Sequence, residues 1–176
     1  IVVDVRPTTG DVLFKTNLVD QVKFMYAWIG SNYTKVERTA TWDYLQAFVD
    51  EARKQGLRIH AAINTFVGGN QIDGGTGLLY RDQSKAEWAQ MNMQVGITSV
   101  MNTSESTKFF NPAHPEVQTF LCDLLKDLAG YDLDGIFLDR GRFLNLQADF
   151  SEESRKQFEE YMGGIRIQNY PNDILA

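Results

Sequence analysis

The sequence has very little cysteine, and the single thiol excludes two common kinds of site. Cys122 is the only cysteine in 176 residues. The chain can therefore form neither an internal disulfide nor a zinc site made of several thiolates. Its neighbours at positions 120–125 are mostly apolar, which predicts that Cys122 is a buried thiol of the core.

Clusters of basic residues and long apolar runs are missing as well. Lys and Arg number 17 against 23 Asp and Glu, for a net charge of −6. Phosphate backbones and anionic membranes are bound through clustered Lys and Arg, so we expect no nucleic acid or lipid surface as the main partner. No apolar run approaches the ~20 residues of a membrane-spanning helix. The 43% hydrophobic content fits one globular domain, spanning 1–176.

What the sequence does contain is an alternation of apolar segments with two different periods. The chain opens directly on such a segment, so we expect further sequence upstream, which would also carry any export signal. Short runs rich in β-branched and large apolar residues predict strands, and 3.6-residue periodicity predicts helices. The predicted strands are 1–6, 57–64 and 135–139, and the predicted helices are 42–55, 115–129 and 151–162. Strands that alternate with helices indicate an α/β fold with a parallel sheet.

The connections of this predicted fold differ greatly in length. Each helix leads almost directly into the next strand, whereas segments 7–40 and 65–114 separate strands from the helices that follow. Long loops at the carboxyl ends of parallel strands are typical of a barrel or doubly wound sheet with its site on that side. Glycines at 68–77 lie in the second loop without a phosphate-binding motif, and they predict a mobile loop tip.

Polar side chains interrupt the predicted strands near their carboxyl ends. Because side chains alternate along a strand, Asp4 and Arg6 share a face, as do His60 and Asn64, and Asp139 closes the third strand. Catalytic groups of barrels stand on the inward face at that end, so these five residues are the candidate site. Asp139 is the candidate catalytic carboxylate.

Each candidate also has a structural interpretation. Asp139 could cap the following turn or pair with a neighbouring arginine, and Asp4 with Arg6 could form an ion pair. His60 could be a hydrogen-bonded core histidine, and Asn64 could cap the loop backbone. Asp134 begins its strand at the opposite end, so we interpret it as structural.

Two further segments could serve other roles. His114 and Asn111 lie beside prolines at a helix start, where capping explains them. Aromatic residues in or beside the long loops could be platforms for sugar rings or simple anchors of the loops. These residues are Trp28, Tyr33, Phe66 and Trp88.

Two ordered motifs resemble a known family. Asn-Pro-Ala-His-Pro-Glu-Val at 111–117 and Tyr-Asp-Leu-Asp-Gly-Ile-Phe-Leu-Asp at 131–139 resemble the signature of the family-10-like glycosyl hydrolases of bacteria. Segments 3–7 and 56–61 are similar to the second and third barrel strands of that family. The resemblance implies a (β/α)8 TIM-type barrel, of which this chain covers about half, with strands two to four.

The resemblance also implies an activity and a location. Members hydrolyse glycans, some are linked to peptidoglycan, and many are exported to the periplasm or cell surface, often as lipoproteins. The family's strand-four acid corresponds to Asp139, its strand-two arginine to Arg6 and its strand-three histidine to His60. Many members carry a second acidic residue directly after the strand-four acid, and here that position is Arg140.

These observations leave three functional hypotheses. The first is a glycosidase without cofactor or metal, in which Asp139 is nucleophile or base and Arg6, Asn64 and His60 bind sugar hydroxyls and keep Asp139 ionised. Its general acid would lie outside this chain, with Asp4 or Asp11 as fallback partners. The second is a non-catalytic glycan-binding barrel. The third, a metal-dependent hydrolase using Asp4, His60 and Asp139, is disfavoured because these residues form no tight cluster in the sequence.

Overall fold

The architecture is a small parallel sheet with helices between its strands. A computed structural model describes residues 1–93, 100–101 and 106–175. The strands are β1 (Val2–Arg6), β2 (Phe24–Ile29), β3 (Asn32–Glu37), β4 (His60–Asn64), β5 (Val67–Asn70), β6 (Asn92–Met93), β7 (Val100–Met101), β8 (Thr107–Phe109) and β9 (Gly135–Asp139). The α-helices are α1 (Tyr44–Lys54), α2 (Leu78–Arg81), α3 (Pro115–Ala129), α4 (Glu152–Tyr161) and α5 (Asn172–Leu175), with short 3-10 segments at Ile72–Gly74 and Gln83–Trp88.

The three strands predicted from the sequence form one parallel sheet in the order β1-β4-β9. Val2 pairs with His60, His60 pairs with Gly135, and Asn64 pairs with Asp139. The carboxyl ends of all three strands therefore lie at the same edge of the sheet. This arrangement confirms the α/β class, whereas closure into a barrel stays a prediction.

Helices α1 and α3 supply one wall of the core. Leu45, Val49 and Ala52 of α1 are buried, and they belong to the same apolar cluster as Val5 and Ile63 of the sheet. Helix α3 has the predicted bounds, and α4 begins one residue after the predicted position, with Ser151 as its cap.

The start of α1 differs from the prediction. Helix α1 begins at Tyr44 and not at residue 42, because Asp43 caps it by accepting a hydrogen bond from the Gln46 N–H at 3.1 Å. Trp42 therefore lies outside the helix and is 55% exposed instead of packing on its apolar face. The Asp43 carboxylate satisfies one of the free N–H groups of the first turn, which fixes the boundary at Tyr44.

The two long loops are not irregular segments, because they contain most of the remaining strands. Loop 7–40 holds the antiparallel hairpin β2–β3, and loop 65–114 holds the antiparallel pair β5–β8. The predicted mobile glycine tip is wrong at its start, since Gly68 and Gly69 lie buried in β5. A Cβ on Gly77 would come within 2.6 Å of the Gly68 carbonyl oxygen, so these glycines allow close packing of backbone on backbone.

The sheet has one covered face and one exposed face. The face that carries Val3, Val5, Ala61 and Ile63 is buried against the helices. On the opposite face, called the open face below, Val2 is 65% and Phe137 58% exposed. Alternation of side chains along the strands also places Asp4 and Asp139 on the open face.

The prediction for Cys122 is wrong, because this thiol is exposed. It lies on α3 beside β9, in an apolar groove of about 510 Å³. The groove is lined by Cys122, Leu125, Lys126, Ala129, Ile136 and Leu138. Periodicity correctly placed Cys122 in a helix, but the helix face that it occupies is uncovered in the described structure.

Candidate active site

Asp139 ends β9 at the carboxyl edge of the sheet, with its carboxylate exposed. Its Oδ1 accepts a hydrogen bond from the Arg140 N–H at 2.7 Å. Its backbone carbonyl accepts another from the Thr65 N–H, also at 2.7 Å. Within the described residues, Oδ2 accepts no hydrogen bond. The strand end is therefore fixed while one carboxylate oxygen is left accessible.

Arg140 has an unusual backbone conformation directly after this carboxylate. Its φ is 47°, in the left-handed region that non-glycine residues seldom adopt. This conformation directs the Arg140 N–H back to the Asp139 side chain. The interpretation that Asp139 caps the following turn is thus correct for its Oδ1. In the described chain, neither Arg140 nor Arg142 forms an ion pair with Asp139.

Asp4 stands on the same open face, two strands away from Asp139. Partial burial raises the pKa of the Asp4 carboxyl, and the negative charge of Asp139 raises it further. The hydrogen bond from the Arg6 N–H and the Arg6 charge act in the opposite direction without cancelling this shift. The two carboxyl groups therefore interact, and Asp4 is the one biased toward the protonated form.

The pairing register sets the spacing of these two carboxyl groups. Asp4 is level with Ala62, and Ala62 is level with Phe137, two residues before Asp139. Two strand steps of about 4.8 Å and two residues of about 3.3 Å along the strand put the two Cα atoms roughly 12 Å apart. The side chains rise from the same face into solvent, so a small molecule can enter between them.

Arg6 is not on the open face with Asp4. The prediction that the two residues share a face, made from the alternation of side chains, is therefore wrong. The register shifts between Asp4 and Arg6, so Arg6 pairs with Ile63 and not with Asn64. This irregularity turns the Arg6 side chain inward, and only 1% of the residue is exposed. A substrate on the open face cannot reach its guanidinium.

The Arg6 guanidinium instead binds the backbone that follows β4. It donates to the carbonyl oxygens of Asn64, of Thr65 at 3.3 Å and of Val67 at 2.5 Å. Burial lowers the pKa of Arg6 to about 10, opposed by the charges of Asp11 and Asp4. Arg6 forms no ion pair with Asp4, in contrast to the predicted structural pair. We call its buried contacts with the carbonyl oxygens of Asn64, Thr65 and Val67 the clamp.

Asn64 completes this clamp from the neighbouring strand. Its side-chain Nδ2 donates to the Arg6 carbonyl oxygen at 2.9 Å, and the residue is buried. Each residue therefore binds the backbone of the other. The capping interpretation of Asn64 is supported by this contact, and Asn64 holds β1 and β4 together beneath the candidate site.

His60 lies at the other end of its strand. It pairs with Gly135, the first residue of β9, whereas Asp139 is the last. Four residues of strand correspond to about 13 Å, so His60 is far from the Asp139 carboxylate. Its imidazole covers Gly135, where an added Cβ would meet the ring carbon Cδ2 at 2.8 Å.

Asp11, the other fallback acid, is engaged elsewhere. It is buried and accepts hydrogen bonds from both terminal nitrogens of Arg81, at 2.8 and 2.9 Å. Burial raises the pKa of Asp11, and the bonds from Arg81 oppose the shift. This ion pair ties the first long loop to the second, which leaves Asp4 as the in-chain partner for Asp139.

The candidate aromatic residues divide into anchors and exposed platforms. Trp88 is buried and donates from its indole nitrogen to Glu116 at 2.9 Å, and Phe66 packs against the core. Trp28 and Tyr33 are 71% and 61% exposed on the β2–β3 hairpin.

No group of three or more His, Cys, Asp or Glu side chains in residues 1–93, 100–101 and 106–175 is arranged to hold a metal ion. The separation of His60 from Asp139 also removes one ligand from the metal-dependent hypothesis.

Comparison with protein families gives a match over nearly the whole chain. The model of the glycosyl hydrolase-like 10 family matches residues 1–171. The chain belongs to the glycosyl hydrolase-like 10 family. An S-layer-related protein of Niallia circulans is 30% identical over 185 aligned residues, which cover 100% of this chain and 11% of that protein. This chain thus spans only a small part of that relative.

A solved structure supports the fold of this glycosyl hydrolase-like 10 chain. A hypothetical protein from Ruminiclostridium thermocellum superposes with a TM-score of 0.52 at 14% identity, covering 92% of this chain and 74% of the other. At this identity the likeness concerns the fold alone. Among the described residues, no helix of the glycosyl hydrolase-like 10 chain is long and apolar enough to cross a membrane.

The motifs that resemble the glycosyl hydrolase-like 10 signature are largely structural in this chain. His114 caps α3 through a bond from the Glu116 N–H at 3.3 Å, and Asn111 accepts from the Ala113 N–H at 2.9 Å. Asp134 accepts from the Ile59 N–H at 2.8 Å and from Arg53 at 2.9 Å, which confirms its structural interpretation. Of these motif residues, Asp139 alone faces the open side of the sheet as a carboxylate.

Proposed function

We propose that this chain is part of a (β/α)8-barrel glycoside hydrolase in which Asp139 and Asp4 are the two carboxyl groups of catalysis. The observation that carries the proposal is their shared position on the open face, with the pKa of Asp4 raised partly by Asp139. Two carboxyl groups whose environments separate their pKa values are the usual basis of acid and base roles. The family supplies the reaction class.

In this mechanism Asp4 is the general acid. It donates its proton to the glycosidic oxygen as the bond to the anomeric carbon breaks, and a raised pKa is the direction of shift that this role requires. Asp139, accessible at Oδ2, removes a proton from the water that attacks the anomeric carbon. That water supplies the new hydroxyl, and the leaving sugar keeps the proton from Asp4.

The spacing of the strands favours direct attack by water. Inverting glycosidases separate their carboxyl groups by ~6.5–9.5 Å to admit a water molecule, against ~5–5.5 Å in retaining enzymes. Side chains that start from Cα atoms roughly 12 Å apart suit the wider arrangement. We therefore assign Asp139 the role of base.

Exposed apolar surfaces support a larger barrel around this sheet. Val2 and Phe137 on the open face are exposed, as is the apolar groove beside Cys122. Strands β1 and β9 each have one unpaired edge among the described residues, and such edges are normally paired or covered. Further strands and helices of a barrel would cover the open face, the groove and the two strand edges. Residues 1–176 would then be part of one catalytic domain.

The name of the Niallia circulans relative bears on location and substrate. An S-layer-related protein implies a role at the bacterial surface. We propose export of the present protein to the cell surface or periplasm and a polysaccharide or oligosaccharide of the envelope or environment as substrate.

The test is glycan turnover by the full-length protein and its Asp139→Asn and Asp4→Asn variants. The panel comprises peptidoglycan strands and α- and β-linked oligosaccharides. We expect each variant to lose at least ~100-fold in kcat, the typical contribution of a positioned acid or base. Proton NMR of the fresh product should show the inverted anomer.

Asp134→Asn is the matched control, since Asp134 lies at the opposite strand end. It should keep kcat within a few-fold after correction for folded protein. Turnover at the wild-type rate in Asp139→Asn would contradict the role of Asp139, and an unchanged kcat in Asp4→Asn would contradict that of Asp4 alone. Azide added to Asp139→Asn should restore turnover by attacking the anomeric carbon in place of the base-activated water, which yields a glycosyl azide of inverted configuration.

The alternative is a non-catalytic glycan-binding barrel, and Arg140 favours it. This residue occupies the position where many proteins with a similar signature carry a second acid. Saturable binding of an oligosaccharide with no turnover in the wild type would select this alternative.

A further inference from the structure

The β2–β3 hairpin carries a second feature that the proposed catalysis does not use. Residues Phe24, Tyr26 and Trp28 alternate along β2, and their cross-strand partners on β3 are Glu37, Lys35 and Tyr33. One face of the hairpin therefore presents all six side chains. We call the part formed by Tyr26, Trp28 and Tyr33 the aromatic face.

The rings of this face support one another. Tyr26 and Tyr33 stack with centroids 5.4 Å apart and an interplanar angle of 21°. Trp28 continues the row at 5.4 Å from Tyr33. Rings held by neighbours lose little further freedom on binding a ligand, so the face is preorganised.

The ends of the rings are free to form hydrogen bonds. Within residues 1–93, 100–101 and 106–175, neither phenol hydroxyl nor the Trp28 indole N–H is bonded to the protein. Tyr and Trp at such positions combine an apolar ring face with a polar edge. A fitting ligand has apolar C–H groups and hydroxyls side by side.

An ionic cluster borders the aromatic face and fixes its position. Lys35 binds Asp73 at 2.5 Å and Glu37 at 3.2 Å, and its Nζ lies 4.3 Å from the centroid of the Phe24 ring. Asp73 belongs to the second long loop, so the hairpin is tied to that loop. One cation against two carboxylates leaves no positive charge for an anionic ligand.

These observations select one ligand class. We propose that the aromatic face binds a neutral polysaccharide chain by stacking on pyranose rings, as a subsite separate from Asp4 and Asp139. The C–H groups on a pyranose face are weakly positive and meet the negative face of an aromatic ring.

The inference rests on the proposed glycan substrate, but not on the carboxylate chemistry. It is therefore tested by binding in an Asp139→Asn background, where turnover does not interfere. The measurement is retardation of the full-length protein in native gels containing hydroxyethylcellulose, glucomannan, glycol chitin or soluble starch. The anionic polymer carboxymethylcellulose is the comparison.

We expect retardation by at least one neutral polymer and weaker retardation by carboxymethylcellulose. Trp28→Ala and Tyr33→Ala should each raise the apparent Kd at least tenfold. Ile29→Ala is the matched control, because Ile29 is 58% exposed on the opposite face of the hairpin. It should leave the Kd within twofold.

Three results would overturn the proposal. They are wild-type affinity in Trp28→Ala and Tyr33→Ala, an equal loss in Ile29→Ala, and no retardation by any neutral polymer. Sedimentation of the same variants identifies the rival occupant: dissociation of an oligomer by Trp28→Ala with unchanged retardation would assign the face to a second copy of the chain. Absence of retardation of the protein with an intact aromatic face, together with retained turnover by the wild type, would refute the subsite and leave the catalytic proposal intact.

Discussion

Asp4 and Arg6 lie two residues apart in β1, yet they belong to two regions with opposite properties. Asp4 is on the open face, where partial burial and, to a smaller extent, the charge of Asp139 raise the pKa of its carboxyl group. Arg6 lies in a buried clamp, where its two terminal nitrogens donate to three carbonyl oxygens of the 64–67 segment, while its Nε is buried without a partner among the described residues. The first arrangement costs stability and leaves a reactive group accessible, whereas the second provides stability and leaves nothing accessible.

This contrast explains how one short strand can provide both a residue of the candidate site and a residue that stabilises the fold beneath it. The clamp joins β1 to the loop after β4 through Arg6, and Asn64 returns a bond to β1. Asp139 is connected to the same loop because its carbonyl accepts from Thr65. The rigid region therefore sets the geometry in which the two open-face carboxyl groups interact.

The largest expected effect on stability comes from removing the clamp. Arg6→Met keeps a long side chain but leaves buried carbonyl oxygens without donors, which should lower the free energy of unfolding by about 3 kcal/mol. Urea unfolding of the full-length protein measures the change. Arg58→Met, at an exposed position, is the control and should change stability by less than about 0.5 kcal/mol. Equal effects of the two substitutions would contradict the clamp.

A smaller loss is expected from the other half of the clamp. Asn64→Ala removes one buried hydrogen bond and exposes no charge, so the free energy of unfolding should fall by about 1–2 kcal/mol. Asn17→Ala, at an exposed position in the first long loop, should be nearly neutral. The double variant with Arg6→Met should lose less than the sum of the single losses, because the two residues share partners. Strict additivity would show that they act independently.

The smallest effect, and one of opposite sign, concerns Asp4. A carboxyl group with a raised pKa binds protons more tightly in the folded state, so its contribution to stability falls as pH rises above its ordinary pKa of 3.8. Asp4→Asn should therefore stabilise the protein near neutral pH by about 0.5 kcal/mol, a value kept small because solvent screens an exposed group. The gain should vanish at pH values below 3.8.

Asp134→Asn is the control for the sign of this effect. The hydrogen bond from the Ile59 N–H lowers the pKa of Asp134, so its contribution is present at neutral pH and is lost on acidification. This substitution should destabilise at pH 7, with a difference that shrinks as pH falls. Thermal unfolding between pH 3 and 8 measures the stability of both variants. A change in stability of the same sign for the two at neutral pH would contradict the comparison.

Much of the fold follows from local patterns. The period of the apolar residues predicted the three parallel strands, the exact bounds of α3 and β9, and the structural place of Asp134 at the amino end of β9. The position of Asp139 at a carboxyl strand end was equally predictable, because a strand has only two ends and the chain order distinguishes them.

The roles of Arg6, Asn64, His60 and Cys122 depended on more than local pattern. The alternation of side chains predicts which face a residue occupies only when the strand is regular. The register shift after Asp4 turned the Arg6 side chain inward. Strand β4 begins at His60 and not at residue 57, which put His60 at the end away from Asp139. Cys122 lies in an apolar helix segment, but its burial depends on whether another element covers that face of α3.

The sequence by itself determined the α/β class, the order of strands and helices and the resemblance to a glycosyl hydrolase family. These features depend on periodicity and residue type, which act over a few neighbouring residues. Only the tertiary structure decided that Asp4 and Asp139 interact, that Arg6 and Asn64 are buried beneath them, and that three aromatic rings form one exposed face. Such features arise from strand pairing between distant segments, where a shift of one residue reverses the direction of a side chain.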